Sequence, residues 1–285
     1  MKTVSITGSN GFVGTNLKHF FESLGFKVVG IKREELKDIN KLSKIIEDSE
    51  IVINLAGANI INRWSESYKK LLYSSRIDTT KALVDAMNTA KQKPKLFIST
   101  SAVGIYDNSK CHTEDDAIYA EDFLANVCKD WEYEALEAKK LGIRTAIFRF
   151  GIVLGQGGGA LEKMLLPFKL GVGGTIGDGS QYFSYIHIED LVNAYKFLYE
   201  NEQLDGVFNL CAPNGTTNKG LTKALGKALN RPTIFPVPQF VLNLIFSEGA
   251  KVLTDGQCAV PKRLVDSGFK FQFSSIETTI KDIVE

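Results

Sequence analysis

The chain has 285 residues, enough to bury the core of one large domain or two modest ones. Hydrophobic residues make up 44% and charged residues 24%, the balance of a soluble globular protein, and a net charge of +1 supplies no global field for nucleic acid or an anionic membrane. No run of about 18 apolar residues occurs, so no membrane span is expected.

Met1 to Thr7 reads as a short strand rich in β-branched residues. Glycines follow at once at Gly8, Gly11 and Gly14. Phe12, Val13, Leu17, Phe20, Phe21 and Leu24 then recur at helical spacing. Strand, glycine-rich turn and helix is the context in which such a motif binds a dinucleotide. The glycines let the backbone approach a pyrophosphate closely, and the helix start offers free N–H groups and a partial positive charge. Gly8, Asn10, Gly11, Phe12 and Val13 are the candidate contacts; the alternative is a turn that merely needs glycine.

A second strand is expected over 26–31, a polar helix around 40–48, and a buried strand and turn from Ile51 to Gly57. A long helical pattern runs from about Ser65 to Ala90. Strands over 95–101 and 144–149 flank a helix from about Asp122 to Lys140. Strands alternating with helices argue for a parallel sheet with right-handed crossovers. From Gly151 the texture changes. Four glycines fall between Gly155 and Gly159 and five between Gly171 and Gly179, which reads as mobile loops beside a ligand or between domains. Residues 185–191 and 206–210 look like returns to the sheet. Helical patches are expected near 218–229, 238–246, 261–267 and 275–284. The fold class is therefore α/β, a Rossmann-type doubly wound parallel sheet with a smaller C-terminal substrate domain. Residues 1–150 and about 183–212 would form the nucleotide domain, and about 151–182 with 213–285 the smaller one.

Four cysteines, Cys111, Cys128, Cys211 and Cys258, are scattered with no CxxC pair, so reduced thiols and a cytoplasmic setting are expected. The N-terminus goes straight into a strand, leaving no room for a signal peptide. Three histidines are too few for a histidine-rich metal centre. No metal, nucleic-acid or membrane partner is expected; a small-molecule substrate is, and a homodimer is compatible with the sequence.

The chain resembles the extended short-chain dehydrogenase/reductase superfamily, and within it the atypical branch of "epimerase family" proteins. The resemblance is carried by Thr7 to Gly14, Asn54 to Gly57, Ser99 to Gly104, Asp122 to Ala125 with Trp131-Glu132, Arg149 to Leu154, Gly157 to Gly159, Tyr185 to Asp190 and Pro261 to Leu264. It implies cofactor contacts at Leu55, Ala56, Gly57 and Ser99. The second strand ends in Gly30-Ile31-Lys32-Arg33, where an acidic residue would mark NAD. A cation there suits a 2′-phosphate, so Lys32 and Arg33 point to NADP(H), unless they form only a solvated basic turn. Asp38 and Ile39 match the family's adenine-edge contact, or an ordinary helix cap.

Members of this superfamily use a Tyr-x-x-x-Lys pair and a Ser. Ser101 matches the Ser and would hold the substrate oxygen. Tyr106 and Lys110 have the pair's spacing but lie in the loop after Ser101, whereas the family's pair opens a later helix; they are a decoy. On that helix the resemblance lays Leu124 on the Tyr position and Cys128 on the Lys position, and a family Asn appears as Arg76. Cys128 could be a thiol acid or nucleophile if a nearby Arg lowers its pKa, or a small buried helix residue. Arg76 could contact a cofactor phosphate or a substrate anion, or form a structural ion pair. His187 beside Glu189 and Asp190 reads as a satisfied imidazole at a sheet edge, with a proton role as the alternative. His112, Glu114 and Asp115 are expected in solvent, and Trp64 and Trp131 as packing anchors. Together these features imply an NADP(H)-dependent oxidoreductase or epimerase-like protein for a small carbonyl or sugar-nucleotide-like substrate. The rival is a nucleotide-binding sensor or scaffold whose catalytic pair has decayed.

Overall fold

The computed structural model describes the backbone of all 285 residues and the side chains of all but Ala160 and Lys163. Strand β1 (Thr3–Thr7) is buried along its whole length, as a strand covered on both faces must be. It leads into α1 (Phe12–Ser23), β2 (Lys27–Ile31), α2 (Ile39–Glu47), β3 (Ile51–Asn54), α3 (Glu66–Thr89) and β4 (Leu96–Ala102). The short β5 (Cys111–His112) precedes α4 (Phe123–Leu136) and β6 (Arg144–Phe150). Next come β7 (Ile152–Leu154), α5 (Gly159–Lys169), β8 (Tyr182–Phe183), β9 (Tyr185–His187), α6 (Ile188–Glu200) and β10 (Gly206–Leu210). The remainder holds β11 (Thr216–Thr217), α7 (Asn218–Ala228), α8 (Gln239–Phe246), α9 (Lys251–Thr254), β12 (Cys258–Ala259), α10 (Lys262–Asp266) and α11 (Ile276–Val284).

Six strands pair in parallel in the order β10-β6-β4-β3-β1-β2. The chain leaves β1 for β2 on one side and returns to β3 on the other, so the topological switch point lies between β1 and β3. Leu17 and Phe21 of α1 pack with Leu191, Tyr195 and Leu198 of α6 on one face. Leu42 and Ile46 of α2, Leu83 and Met87 of α3, and Ala135 of α4 cover the other. Two caps set the entry of the long helices: Ser65 Oγ accepts from Tyr68 N, and Asp122 Oδ1 accepts from Ala125 N. A separate apolar cluster joins Leu154, Leu161, Phe183, Leu221, Leu225 and Ile280, from the later segments of the chain.

Three sequence expectations change. Residues 185–191 do not return to the central sheet. Tyr185 to His187 pair with β7 in a small parallel ladder, and His187 then caps α6, its Nδ1 accepting from Glu189 N. The strand pattern of these residues ends at this cap, where α6 begins. Cys111 and Cys258 are not free thiols: β12 and β5 pair in parallel with these two residues in register, and they form a disulfide across 147 residues of sequence. Cys128 and Cys211 are free and buried. Finally, His112 and Glu114 are buried, while Asp115 is exposed. Glu114 accepts from the backbone N–H groups of Asn209 and Arg263, tying the segment after β5 to β10 and to the start of α10.

Candidate functional site

The carboxyl ends of β1 and β3 open onto a cavity of about 660 Å³. Its two turns are locked together. Thr7 donates its hydroxyl to Asn54 Oδ1 at 2.8 Å and accepts from the N–H groups of Leu55 and Ala56. Asn54 in turn donates to Thr80 and Ser99. Gly8 has φ of +68°, and a Cβ there would lie 3.1 Å from the Leu55 carbonyl group. A Cβ on Gly14 would collide with the Gly8 carbonyl oxygen, so that glycine lets α1 sit against its own turn. Gly11 is the N-cap of α1 and no side chain caps it. The first-turn N–H groups are therefore left open, and with the helix dipole they make an anion site.

Gly8, Gly11, Phe12, Val13, Leu55 and Gly57 line the cavity, together with Arg76, Ser101 and Cys128. Lys32 and Arg33 lie outside it, exposed, where β2 emerges beside the glycine turn: Thr7 pairs with Ile31, and a Cβ on Gly30 would strike Ser9 Oγ. Glu35, close in sequence to these cations, is occupied elsewhere, accepting from Lys32 N and pairing with Lys41. Asp38 caps α2 by accepting from Asn40 N and Lys41 N, and Ile39 beside it is exposed. Asn10 and Ala56 flank the turns without lining the cavity. Ser99 is fully buried below the cavity floor and accepts from Asn54, whereas Thr100 and Ser101 reach the wall.

Ser101 Oγ donates to Glu132 Oε1 at 2.6 Å. A hydroxyl has one proton and a carboxylate has none to give back, so Ser101, 1% exposed at the cavity wall, has only acceptor lone pairs left. Glu132 is also gripped by Arg149, Nε to Oε1 at 2.8 Å and Nη2 to Oε2 at 2.7 Å. Arg149 Nη1 continues the chain to the Tyr106 hydroxyl at 2.7 Å, which donates toward Asn209 Oδ1. Tyr106 is thus a fully buried strut, its ring stacked on His112. Burial pushes its phenol up to about 12, with Arg149 opposing. Lys110 pairs with Asp116 at the surface. The two residues with the tempting spacing do not meet as a catalytic pair.

Cys128, open to reading as a thiol acid or as a small buried helix residue, is buried in α4. Burial, reinforced by the Glu132 charge, pushes it up to about 11, and Arg76 only partly opposes this. Arg76 lies against the Trp131 ring and donates to the carbonyls of Leu72 and Ala58. Burial lowers its pKa. Both of those partners are neutral, so its charge and remaining N–H groups are left for the cavity. Leu124, at the position where the family's phenol is expected, also lines the wall. Glu132 and Arg149 escaped sequence analysis as site residues; the available signal was a charge inside the apolar run of β6, which demands a buried partner.

A doubly wound sheet with an uncapped helix start at its switch point defines a nucleotide-binding α/β fold. Residues 4–211 match the NAD dependent epimerase/dehydratase family, and residues 237–283 match a domain of unknown function. The chain belongs to that epimerase/dehydratase family. It is 36% identical to the epimerase family protein YfhF of Bacillus subtilis, over 99% of this chain and 97% of that one. It is 37% identical to the mouse epimerase family protein SDR39U1, over 99% of each. The crystal structure of the human epimerase family protein SDR39U1 with NADPH superposes with a TM-score of 0.91 at 33% identity, covering 99% of each chain. Among the described residues no cluster of His, Cys, Asp and Glu could hold a metal ion, and no helix is long and apolar enough to cross a membrane.

Proposed function

We propose that this protein is an NADP(H)-dependent oxidoreductase or epimerase-like enzyme of the atypical short-chain class, acting on a carbonyl compound or the matching alcohol. One observation carries the reading: the glycine turn and Ser101 line a single cavity at the switch point. The residues fit a dinucleotide, because the glycines at 8 and 14 let the turn, α1 and the Leu55 backbone close up on one another, and the α1 start that this exposes to the cavity has no side-chain cap. Gly11, Phe12 and Val13 would hold the pyrophosphate, and Lys32 and Arg33 the 2′-phosphate that selects NADP(H). When bound, the nicotinamide supplies or accepts the hydride.

The chain's own residues do the rest. Ser101, its proton held by Glu132, accepts a hydrogen bond from a substrate hydroxyl. Arg76 offers donors to a carbonyl oxygen and favours negative charge developing on it. Leu124 has no proton to transfer, and Cys128 stays a neutral thiol at ordinary pH, so the Tyr-x-x-x-Lys relay has no counterpart on this helix. The segments clustered about Leu154, Leu221 and Ile280 would form the substrate domain. Those same features, Leu124 and an unactivated Cys128, favour the second reading, a nucleotide-binding sensor. A carbonyl panel followed at the nicotinamide absorbance band separates the two. Turnover that falls at least tenfold in Ser101→Ala, with NADPH affinity retained, supports the enzyme. Tight NADPH binding with no turnover on any carbonyl supports the sensor.

A further inference from the structure

Beyond Ser101 the wall of the cavity changes character. Ile60, Ile61, Phe123, Leu124, Met164 and Phe246 face it there. Among the described residues, the charged groups lining the whole cavity are Arg76 and Lys251 against Asp122 and Asp255, which cancel. Asp122 is already used as the cap of α4. A nucleoside diphosphate brings about two negative charges and needs a surplus of cations or open N–H donors. The glycine turn has such donors, but they stand at the cofactor end.

The apolar wall also continues outward. Phe246 is the last residue of α8, whose sequence Gln-Phe-Val-Leu-Asn-Leu-Ile-Phe has no charge and no buried residue. Phe240 and Leu244 are 70% and 75% exposed. Contacts with the rim fix this helix beside the cavity: Trp64 N donates to the Phe246 carbonyl, Arg63 donates to the Leu244 carbonyl, and Trp64 packs edge-on against Phe123. Gln181, Ser184 and Asn218 also line the cavity, but they spend hydrogen bonds on the backbone of Ile176 and Gln257. A cavity whose wall beyond Ser101 is mostly apolar, and includes the end of an apolar helix, suits a ligand with an apolar body and one polar head.

We propose that the substrate is a lipophilic carbonyl compound or its alcohol, and not a sugar nucleotide. Its polar head meets Ser101 and Arg76, and its chain passes Leu124 and Phe246 toward α8. This rests on the NADP(H) reading only in leaving that half of the cavity to the substrate.

The test is binding, read by tryptophan fluorescence, since Trp131 lines the cavity. Butan-1-ol, hexan-1-ol, octan-1-ol, decan-1-ol and UDP-glucose are titrated into the protein with and without saturating NADPH. Affinity should rise by about fourfold per added methylene up to the length of the cavity. Decan-1-ol should bind more tightly than UDP-glucose. Phe246→Ser and Leu124→Asn should each weaken decan-1-ol at least tenfold and leave NADPH affinity within twofold. That last measure shows that the variants are folded. Affinity independent of chain length, or UDP-glucose binding more tightly than decan-1-ol, overturns the proposal. Failure of NADPH to bind, with the chain-length dependence intact, refutes the cofactor reading and leaves this one standing.

Discussion

Replacing Glu132 by Ala strikes the centre of the polar network beneath the cavity. Arg149 is 2% exposed and Glu132 7% exposed, and two hydrogen bonds of 2.7 and 2.8 Å join them. Burial works against the guanidinium charge, yet the bonds to Glu132 outweigh it and hold its pKa above the ordinary value. Removing one member of such a pair typically costs about 3–5 kcal/mol, because a charge is left buried without its counterion. Ser101 loses its acceptor as well, which adds about 1 kcal/mol. With a urea slope of about 3 kcal/mol/M, the unfolding midpoint of Glu132→Ala should fall by about 1–2 M. The combined change Glu132→Leu with Arg149→Met should recover most of that loss, since an apolar pair has no charge to desolvate. Both are read by urea titration of tryptophan fluorescence. A Glu132→Ala midpoint within about 0.3 M of wild type would refute the reasoning, as would a double variant less stable than the single one.

Gly11→Val places a branched side chain at the cofactor end of the cavity, so NADPH binding should be lost while circular dichroism stays that of the folded protein. Normal binding by the folded variant would move the phosphate site elsewhere. Tyr106→Phe removes the phenol that Arg149 and Asn209 hold; it should cost about 1–3 kcal/mol in stability but change turnover by less than about tenfold, a smaller loss than for Ser101→Ala. A hundredfold loss at unchanged NADPH affinity would make Tyr106 catalytic after all. The Cys128 thiol ionises at about 11 in the fold and near 9 when exposed, so the folded chain binds the extra proton between those values. Its contribution to stability is complete below about pH 9 and is lost as pH rises toward 11, and Cys128→Ala should flatten that part of the stability profile.

The nucleotide half of the site was legible because its signals are local. Glycine spacing, a β-branched strand and an amphipathic helix lie within two dozen residues, and backbone geometry alone links them to an anion. The floor of the cavity was not legible. Ser101, Glu132 and Arg149 come from β4, α4 and β6, and only strand pairing and helix packing bring them together. The Cys111–Cys258 bond closes over 147 residues and depends on two-residue strands too short to leave a pattern. His187 reads as part of an alternating apolar run, yet its ring serves as a helix cap, which side-chain geometry decides and periodicity does not. Arg76 was visible as an unusual residue, but its neutral partners, the carbonyls of Leu72 and Ala58, appear only in three dimensions.

The central claim, that the glycine turn and the basic end of β2 together make an NADP(H) site, is tested most directly by titrating NADPH and NADH into wild type and Arg33→Ala. A lost charge-assisted bond is worth about 1.5–3 kcal/mol, so NADPH should bind wild type at least tenfold more tightly than NADH, and Arg33→Ala should remove most of that preference without weakening NADH. Equal affinities for the two nucleotides in the wild-type protein would contradict it.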